Sequence, residues 1–261
     1  MTDVQEHELL AVAQEAARAG GAELRSRFGG PQRGVRAKST PTDLVSDADL
    51  AAESAIRSVL GARRAGDAIL AEEGGASGGE ARLRWVVDPL DGTINFLFGI
   101  PVFCVSVACE DPDGSVVGVV YDPNREECFA ATRSGEAVLN GEVVHSPLRG
   151  ALSEALVATG FSYDAELRAR QAAVVSRVLP RVRDIRRLGA AALDLCWCAC
   201  GRFDGYYERG LKRWDVAAGA LVAARAGLEV RTLAAGEEPD GLMAAPAGFV
   251  DELFELVVGA G

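Results

Sequence analysis

The chain has 261 residues, 49% of them hydrophobic and 25% charged, with a formal net charge of −11 and a pI near 4.8. The apolar content allows a substantial core and excludes a disordered chain. The acidic balance argues against a nucleic-acid-binding protein, because no long basic stripe is present to neutralise phosphates.

The N-terminal residues, the lack of a long apolar run and the cysteines predict a cytoplasmic protein with no membrane association. Residues 1–7 are polar and acidic, unlike a signal peptide, and no apolar run approaches the roughly 20 residues of a membrane span. The six cysteines lack zinc-ligand spacing, and only two histidines accompany them. We therefore expect reduced, buried thiols that pack as small apolar groups.

The first part of the chain has the pattern of two amphipathic helices followed by strands that glycines interrupt. The predicted elements are, in order, a helix over 8–28, a polar loop over 29–42, a helix over 46–60, a strand over 68–71, a flexible loop over 74–79 and a strand over 83–87. Ser46 and Asp49 have the spacing of a capping box at the start of the second helix.

The middle of the chain predicts an antiparallel meander, with turn signals at 111–114 and at Asn140-Gly141. Its strands are expected at 102–110, 116–122, 127–132 and 137–139.

Beyond residue 146, helical and strand patterns alternate. The expected order is a strand over 156–159, a helix over 165–179, a strand over 184–188, a helix over 190–201, a strand over 205–208 and a helix over 214–226. This alternation predicts an α/β fold of layered helices and sheets, built as two intimately packed sub-domains, residues 1–145 and 146–261.

The segment WVVDPLDGTINF, residues 85–96, is the most informative stretch. An apolar strand delivers Asp88 and Asp91 into a Pro/Gly turn at a predicted helix start, which suits the binding of hard cations. Backbone N–H groups at that start are available to an anion. The segment predicts Mg²⁺-dependent chemistry on a phosphate, although Pro-Leu-Asp-Gly alone also fits an ordinary turn.

Further carboxylates stand at strand ends and helix starts, at Asp49, at Glu72-Glu73 and at Asp215. Each one alone is explained by the preference of acids for the first turn of a helix or for a strand end. Several acids that converged on one cleft would repel each other strongly unless cations lay between them. Mg²⁺ takes oxygen ligands and keeps several waters, so three or four carboxylates can serve more than one ion.

Taken together, these motifs resemble the inositol monophosphatase family in order and spacing, from about residue 38 to residue 227. The matching blocks are 43–53, 72–74, 85–96, 187–210 and 214–219. The resemblance implies the alternating helix and sheet layers of inositol monophosphatases and fructose-1,6-bisphosphatases.

The resemblance also implies a set of metal ligands for two to three Mg²⁺ ions. Glu72, Asp88 and the backbone carbonyl of Leu90 would hold the first ion, and Asp88, Asp91 and Asp215 the second. A third, weaker ion would depend on Glu72 and on water.

By the same resemblance, Asp49 and Thr93 are the catalytic residues, which orient and activate a metal-bound water for in-line attack on phosphorus. The remaining residues would bind the substrate, its phosphate at one end and its leaving group at the other. They are Gly92, Thr93, Gly189, Ala190, Ala191, Glu208 and, at the phosphate end, Lys38.

The favoured reaction is hydrolysis of inositol 1-phosphate. Relatives with the same metal site act on fructose 1,6-bisphosphate, histidinol phosphate or adenosine 3',5'-bisphosphate, and these activities stay open. Lys212 and Arg213 either balance local acids or favour an anionic leaving group. The resemblance further implies inhibition by Li⁺ and a homodimer.

Two other classes of function fit the sequence less well. A regulatory or scaffold protein that binds a macromolecular partner would keep the fold, but here every expected carboxylate and Thr93 are present. A structural Ca²⁺-binding protein would need its acids at EF-hand spacing within one loop, and that spacing is absent.

Overall fold

The computed structural model describes residues 2–31, 33–37, 44–78, 81–147, 150–234 and 239–259. The helices are α1 (Asp3–Arg27), α2 (Asp47–Arg63), α3 (Thr93–Leu97), α4 (Ala165–Val178), α5 (Ala191–Ala199), α6 (Arg213–Arg225) and α7 (Val250–Val258). The strands are β1 (Arg36–Ala37), β2 (Leu44–Val45), β3 (Ala68–Ala71), β4 (Gly75–Ser77), β5 (Arg84–Asp91), β6 (Cys104–Asp111), β7 (Gly114–Asp122), β8 (Glu127–Thr132), β9 (Val138–Leu139), β10 (Glu142–Val143), β11 (Leu156–Thr159), β12 (Asp184–Arg186), β13 (Gly205–Arg209), β14 (Glu229–Leu233) and β15 (Gly241–Ala245).

An eight-stranded sheet forms the centre of the first half, in the order β10-β9-β8-β7-β6-β5-β3-β4. It is antiparallel except for the pair β3 and β5. Strands β5 to β8 are buried on both faces, which explains their nearly continuous apolar runs. Helices α1 and α2 cover one face, and α5 and α6 cover the other.

A second sheet of five strands has the order β12-β11-β13-β15-β14. Strands β12, β11 and β13 are parallel, whereas β15 and β14 run antiparallel to their neighbours. Helices α5 and α6 cover one face of this sheet as well, and α4 and α7 cover the other. The result is five layers, with α5 and α6 shared between the two sheets.

Glycines bring α6 close to its neighbours on two sides. A Cβ on Gly118 of β7 would lie 2.8 Å from the carbonyl oxygen of Ala218. A Cβ on Gly219 would lie 3.0 Å from the carbonyl oxygen of Ala192 in α5. Small residues therefore fix the distance between the shared helices and the first sheet, and with it the position of the N-terminus of α6.

Most of the predicted elements are confirmed, and the layered α/β class is correct. The predicted flexible loop at 74–79 was wrong over residues 75–77, which form the edge strand β4 against β3. The strand predicted to end at residue 87 continues to Asp91, because β5 pairs with β6 across an irregularity between Asp88 and Asp91. Both acids therefore lie within a strand rather than in a turn.

The periodicity also left elements unassigned after residue 226, where β14, β15 and α7 lie. The first helix begins at Asp3, five residues before its predicted start, because Thr2 and Gln5 form a capping box. The division into sub-domains at residue 146 stays a prediction, since helices from the second half also complete the core of the first sheet.

Five of the cysteines are buried and Cys200 is half-buried, with no disulfide among them, as expected. Among the helices of the described chain, none combines the length and the apolar character that crossing a bilayer demands.

Candidate active site

A cleft of about 410 Å³ opens where the two sheets and the shared helices meet. Strand β5 and the start of α3 contribute Asp88, Leu90, Asp91, Gly92 and Thr93. The end of β3 contributes Glu72, the start of α6 Asp215, and strand β13 Glu208. The cleft thus brings together residues that are as much as 171 positions apart in the sequence, from Leu44 to Asp215.

The end of β5 is shaped by a close backbone contact. Gly92 has φ +96°, and a Cβ there would lie 2.9 Å from the carbonyl oxygen of Val102. Only glycine fits this left-handed conformation at so short a distance. The turn lets α3 begin at Thr93, while the Leu90 N–H donates to Asp88 Oδ1 at 3.0 Å and orients that carboxylate.

Thr93 and Asp49 are in direct contact although α2 and α3 are separate elements. Thr93 Oγ1 lies 3.0 Å from Asp49 Oδ1 and 3.0 Å from the Leu90 carbonyl oxygen. The one hydroxyl hydrogen has two acceptors and serves one at a time. Asp49 is fully buried, and its Oδ2 accepts from the Ser46 N–H at 2.8 Å and from Ser46 Oγ at 2.7 Å. The predicted capping box therefore fixes Asp49 with its Oδ1 toward Thr93.

Asp91 and Asp215 are each held by a backbone N–H at the start of a helix. Asp91 Oδ2 accepts from the Ala192 N–H at 2.7 Å and contacts Cys104 Sγ at 3.6 Å. Asp215 Oδ2 accepts from the Lys212 N–H at 2.6 Å. Helices α5 and α6 consequently align these two carboxylates with the end of β5.

The acids in the cleft raise one another's pKa. Burial raises the pKa of Asp88 well above its usual value, and the charges of Glu72, Asp91 and Asp215 raise it further. Burial raises the pKa of Asp91 to about 6, opposed by the Ala192 N–H. Burial also raises the pKa of Asp215, opposed by the Lys212 N–H. So much negative charge in one place is costly unless protons or cations compensate it.

The donor set fits a hard divalent cation, since carboxylates and the Leu90 carbonyl supply oxygen ligands only. Within the described ranges, no three His, Cys, Asp or Glu side chains are close enough together to enclose an ion alone. Mg²⁺ in proteins is commonly held by one or two carboxylates with waters and substrate phosphate completing its shell. An open cleft of this kind fits that mode of binding.

Glu208 occupies the opposite wall of the cleft. It is half-buried, and Tyr206 OH donates to its Oε2 at 2.8 Å. Burial raises its pKa to about 7, opposed by the Tyr206 hydroxyl and by the charge of Arg187. Near neutral pH this side chain can accept hydrogen bonds as a carboxylate or donate one as an acid.

Only some of the other predicted substrate residues line the cleft. Gly189 and Ala191 line the cleft, whereas Ala190 lies beneath the surface and is fully buried. Lys38 falls outside the described residues. Lys212 lines the cleft, but Arg213 points away from it and is bound to Glu110 and Ser115.

Three residues with a part in the site were missed from the sequence. Arg187 lines the cleft beside Gly189. Asn95 Nδ2 donates to the carbonyls of Val102 and Leu188, each at 2.8 Å, and so ties the β5–α3 turn to the opposite wall. Glu53 binds the backbone beside Glu72. All three lie in or next to the motifs, but nothing in the sequence indicates which partners they contact.

Comparison with known proteins gives a consistent result. The model of the inositol monophosphatase family matches residues 5–255. An inositol-1-monophosphatase SuhB of Mycobacterium tuberculosis is 44% identical over 239 residues, 87% of this chain and 82% of that protein. The protein named Nus factor SuhB in Pasteurella multocida is 42% identical over 192 residues, 73% of this chain and 72% of that protein.

Among solved structures, the extragenic suppressor protein suhB of Bartonella henselae has a TM-score of 0.89 and 34% identity. The match covers 95% of this chain and 98% of that one. The structural match therefore extends over all five layers of the fold.

Proposed function

The chain belongs to the inositol monophosphatase family, and from that premise we propose that it is a Mg²⁺-dependent phosphatase with inositol 1-phosphate as its preferred substrate. As a family member it is an enzyme, a phosphoric monoester hydrolase. The observation that carries the finer proposal is the cluster of Glu72, Asp88, Asp91 and Asp215 in one cleft, beside the Thr93–Asp49 pair.

The proposed metal ligands follow from this cluster. Glu72, Asp88 and the Leu90 carbonyl would hold one Mg²⁺, and Asp88, Asp91 and Asp215 a second, with waters completing each shell because no three of these side chains enclose an ion by themselves. A third, weaker ion would lie at Glu72. The mutual increase in pKa among these acids supports a cation between them, because a cation removes the repulsion. Mg²⁺ lowers the pKa of water and stabilises negative charge on phosphate and leaving oxygens.

The Thr93–Asp49 pair would orient the attacking water. Thr93 Oγ1 accepts a hydrogen from the water when its own hydrogen points to Asp49 Oδ1. Asp49, held by Ser46, is the base toward which the proton moves as the water attacks phosphorus in line. With water as the nucleophile, no phosphoenzyme forms.

Substrate binding would use both walls of the cleft. The N–H groups of Gly92 and Thr93 bind the phosphate, and Lys38 is proposed to approach it. Glu208 accepts hydrogen bonds from hydroxyls of the leaving group, while Gly189 and Ala191 shape the wall and Ala190 supports them from below.

The test is phosphate release from inositol 1-phosphate, fructose 1,6-bisphosphate, histidinol phosphate and adenosine 3',5'-bisphosphate over a range of Mg²⁺ concentrations. We expect the highest kcat/KM for inositol 1-phosphate and no turnover with EDTA. A clear preference for another ester would keep the reaction class and replace the substrate. Equal rates with and without EDTA would refute the metal role.

Two further properties belong to the same proposal. Li⁺ is expected to inhibit turnover by displacing Mg²⁺ from the acidic cluster, and competition between the two ions in steady-state kinetics tests this. The protein is expected to be a homodimer, which light scattering on the purified chain measures directly.

A role outside catalysis is the second candidate, since a relative is named Nus factor SuhB rather than phosphatase. Such a protein would bind a macromolecular partner and use the fold as a scaffold. Folded protein that releases no phosphate from any ester at saturating Mg²⁺ would favour this candidate over the phosphatase.

A further inference from the structure

We propose that the leaving-group wall of the cleft contains an anion subsite, formed by Arg187 with Lys212, that binds a second phosphate or carboxylate on the substrate. This inference rests on the proposed function and extends it. Between two esters of the same sugar, the enzyme would then favour the one whose leaving group itself carries a negative charge.

The Arg187 side chain is held at the wall of the cleft. Its guanidinium lines the cleft, and its Cζ lies 5.9 Å from the centre of the Phe161 ring. One guanidinium nitrogen lies against Gly189, only 2.2 Å from where a Cβ on that glycine would be. Phe161 and the bare backbone of Gly189 therefore hold the guanidinium at the cleft wall.

The hydrogen-bond donors of the Arg187 guanidinium are not used by other described residues. Among the described residues, no hydrogen bond and no ion pair within 4 Å engages the Arg187 guanidinium. Its donors are thus available for a ligand. The N–H groups of a guanidinium form a planar fork, which matches the two oxygens of a carboxylate or phosphate.

Neighbouring arginines show the contrast. Arg209 also lines the cleft, but its guanidinium donates to the carbonyls of Ala234 and Pro239 at 3.1 and 2.9 Å. Arg213 is bound to Glu110. Lys212, in contrast, is exposed on the cleft wall, and its backbone N–H holds Asp215.

Charge balance is the competing explanation for Arg187, because its charge lowers the pKa of Glu208 and of Asp194. It forms no ion pair with either acid, so the balance acts at a distance and leaves the donors available. The net charge of −11 makes the long-range field repulsive to a polyanion. Any preference for a second anion must therefore come from local cations such as these.

The test compares fructose 1,6-bisphosphate with fructose 1-phosphate, which differ only in the second phosphate. Initial rates of phosphate release give the ratio of kcat/KM for the two esters in the wild type, in Arg187→Met and in Arg187→Lys. A charge-assisted hydrogen bond predicts a wild-type ratio on the order of 10- to 100-fold in favour of the bisphosphate, expressed mainly in KM.

Arg187→Met is expected to collapse this ratio toward one, and Arg187→Lys to retain part of it. Arg213→Met is the matched control, because that arginine contacts Glu110 rather than the cleft, and its ratio should equal that of the wild type. A wild-type ratio near one, or a ratio that Arg187→Met leaves unchanged, would overturn the subsite while the phosphatase proposal stands. Release from inositol 1-phosphate but from neither fructose ester would also overturn the subsite, whereas no release from any of the three esters would refute the proposed function.

Discussion

Asp91 shows how much a single side chain does in this cleft. It accepts the Ala192 N–H with one oxygen, and burial raises its pKa to about 6, with a smaller increase from the charge of Glu72. The same carboxylate therefore aligns α5 with β5 and supplies charge for a cation. A substitution that removes the charge of Asp91 but keeps the size of its side chain separates the structural role from the metal-binding role.

For Asp91→Asn we expect a folded protein with kcat lowered on the order of 100-fold or more, because the amide can still accept the Ala192 N–H but binds a cation weakly. The measurement is kcat against Mg²⁺ concentration, with the thermal midpoint as a check on folding. Asp113→Asn, in the exposed turn before β7, is the matched control. Near-normal kcat at high Mg²⁺ would contradict the ligand role.

Glu208 has a pH dependence whose sign follows from its pKa. Burial raises that pKa from 4.5 to about 7 in the folded protein. Between these values the folded state holds a proton that the unfolded state has lost, so this group's contribution to stability is full below pH 4.5. It is lost as the pH rises through about 7.

Glu208→Gln stays neutral at every pH. We therefore expect its free energy of unfolding to increase relative to that of the wild type by roughly 2 kcal/mol as the pH rises from 4.5 to 7.5. Denaturant unfolding of the metal-free proteins across this range measures the difference. Glu142→Gln, on the exposed strand β10, should follow the wild-type curve. Parallel curves for Glu208→Gln and the wild type would show that Glu208 is not shifted.

At the scale of elements, α2 connects the proposed base with a proposed metal ligand. Glu53 lies one turn after Asp49 and is buried. Its carboxylate accepts the N–H groups of Glu73 at 2.9 Å and Gly74 at 3.0 Å, directly after Glu72. Arg57 donates to Glu53 at 2.6 Å and to the Gly75 carbonyl at 3.1 Å. Helix α2 thus clamps the turn that follows Glu72.

Loss of the Glu53 carboxylate should lower both the stability of the fold and the apparent affinity for Mg²⁺. Glu53→Ala leaves two backbone N–H groups and Arg57 without their acceptor, so we expect a loss of about 2 to 3 kcal/mol in the free energy of unfolding. We also expect a higher Mg²⁺ concentration for half-maximal activity, because Glu72 is less well positioned. Chemical denaturation and Mg²⁺ titration of activity measure the two effects.

Ser54→Ala, an exposed neighbour on the same helix, controls for changes in helix propensity. Unchanged Mg²⁺ dependence in a destabilised Glu53→Ala protein would limit the clamp to a structural role.

At the scale of the whole molecule, the cleft exists only because both sheets share α5 and α6. Asp88 and Asp91 come from the first sheet, while Asp215 comes from a helix that also packs on the second. The close contacts at Gly118 and Gly219 bring these parts together. A cation bound between them would therefore stabilise the junction of the layers.

Mg²⁺ is expected to raise the thermal midpoint, and more at pH 8 than at pH 5. The pKa values of Asp88, Asp91 and Asp215 are raised in the folded protein, so the metal-free protein loses stability as the pH rises and these acids ionise. Below about pH 6, protons occupy the sites that Mg²⁺ would take. At 100 times its Kd a bound ligand adds about 2.7 kcal/mol.

Scanning calorimetry with and without Mg²⁺ at the two pH values measures this gain. Asp88→Asn should reduce the gain at pH 8. A gain in the wild type that is equal at both pH values would argue that Mg²⁺ does not bind the acidic cluster.

The sequence by itself determined the layered fold class and the composition of the site. Apolar spacing located most helices and strands, because burial of one or both faces fixes which residues must be apolar. The strand predicted to stop before Asp88 and the loop predicted over residues 75–77 were wrong, since pairing with β6 and with β3 overrides the local preference for turns. Pairing partners distant in the sequence leave no local signal.

The residue types of the cleft were likewise evident, because hard-cation chemistry requires carboxylates beside a backbone turn. Only the tertiary structure decided which side chains are available. It bound Arg213 to Glu110, left Arg187 at the cleft wall and buried Ala190 beneath it. A sequence specifies which groups are charged. Which of those charges is already satisfied depends on contacts that form only when the two sheets close around α5 and α6.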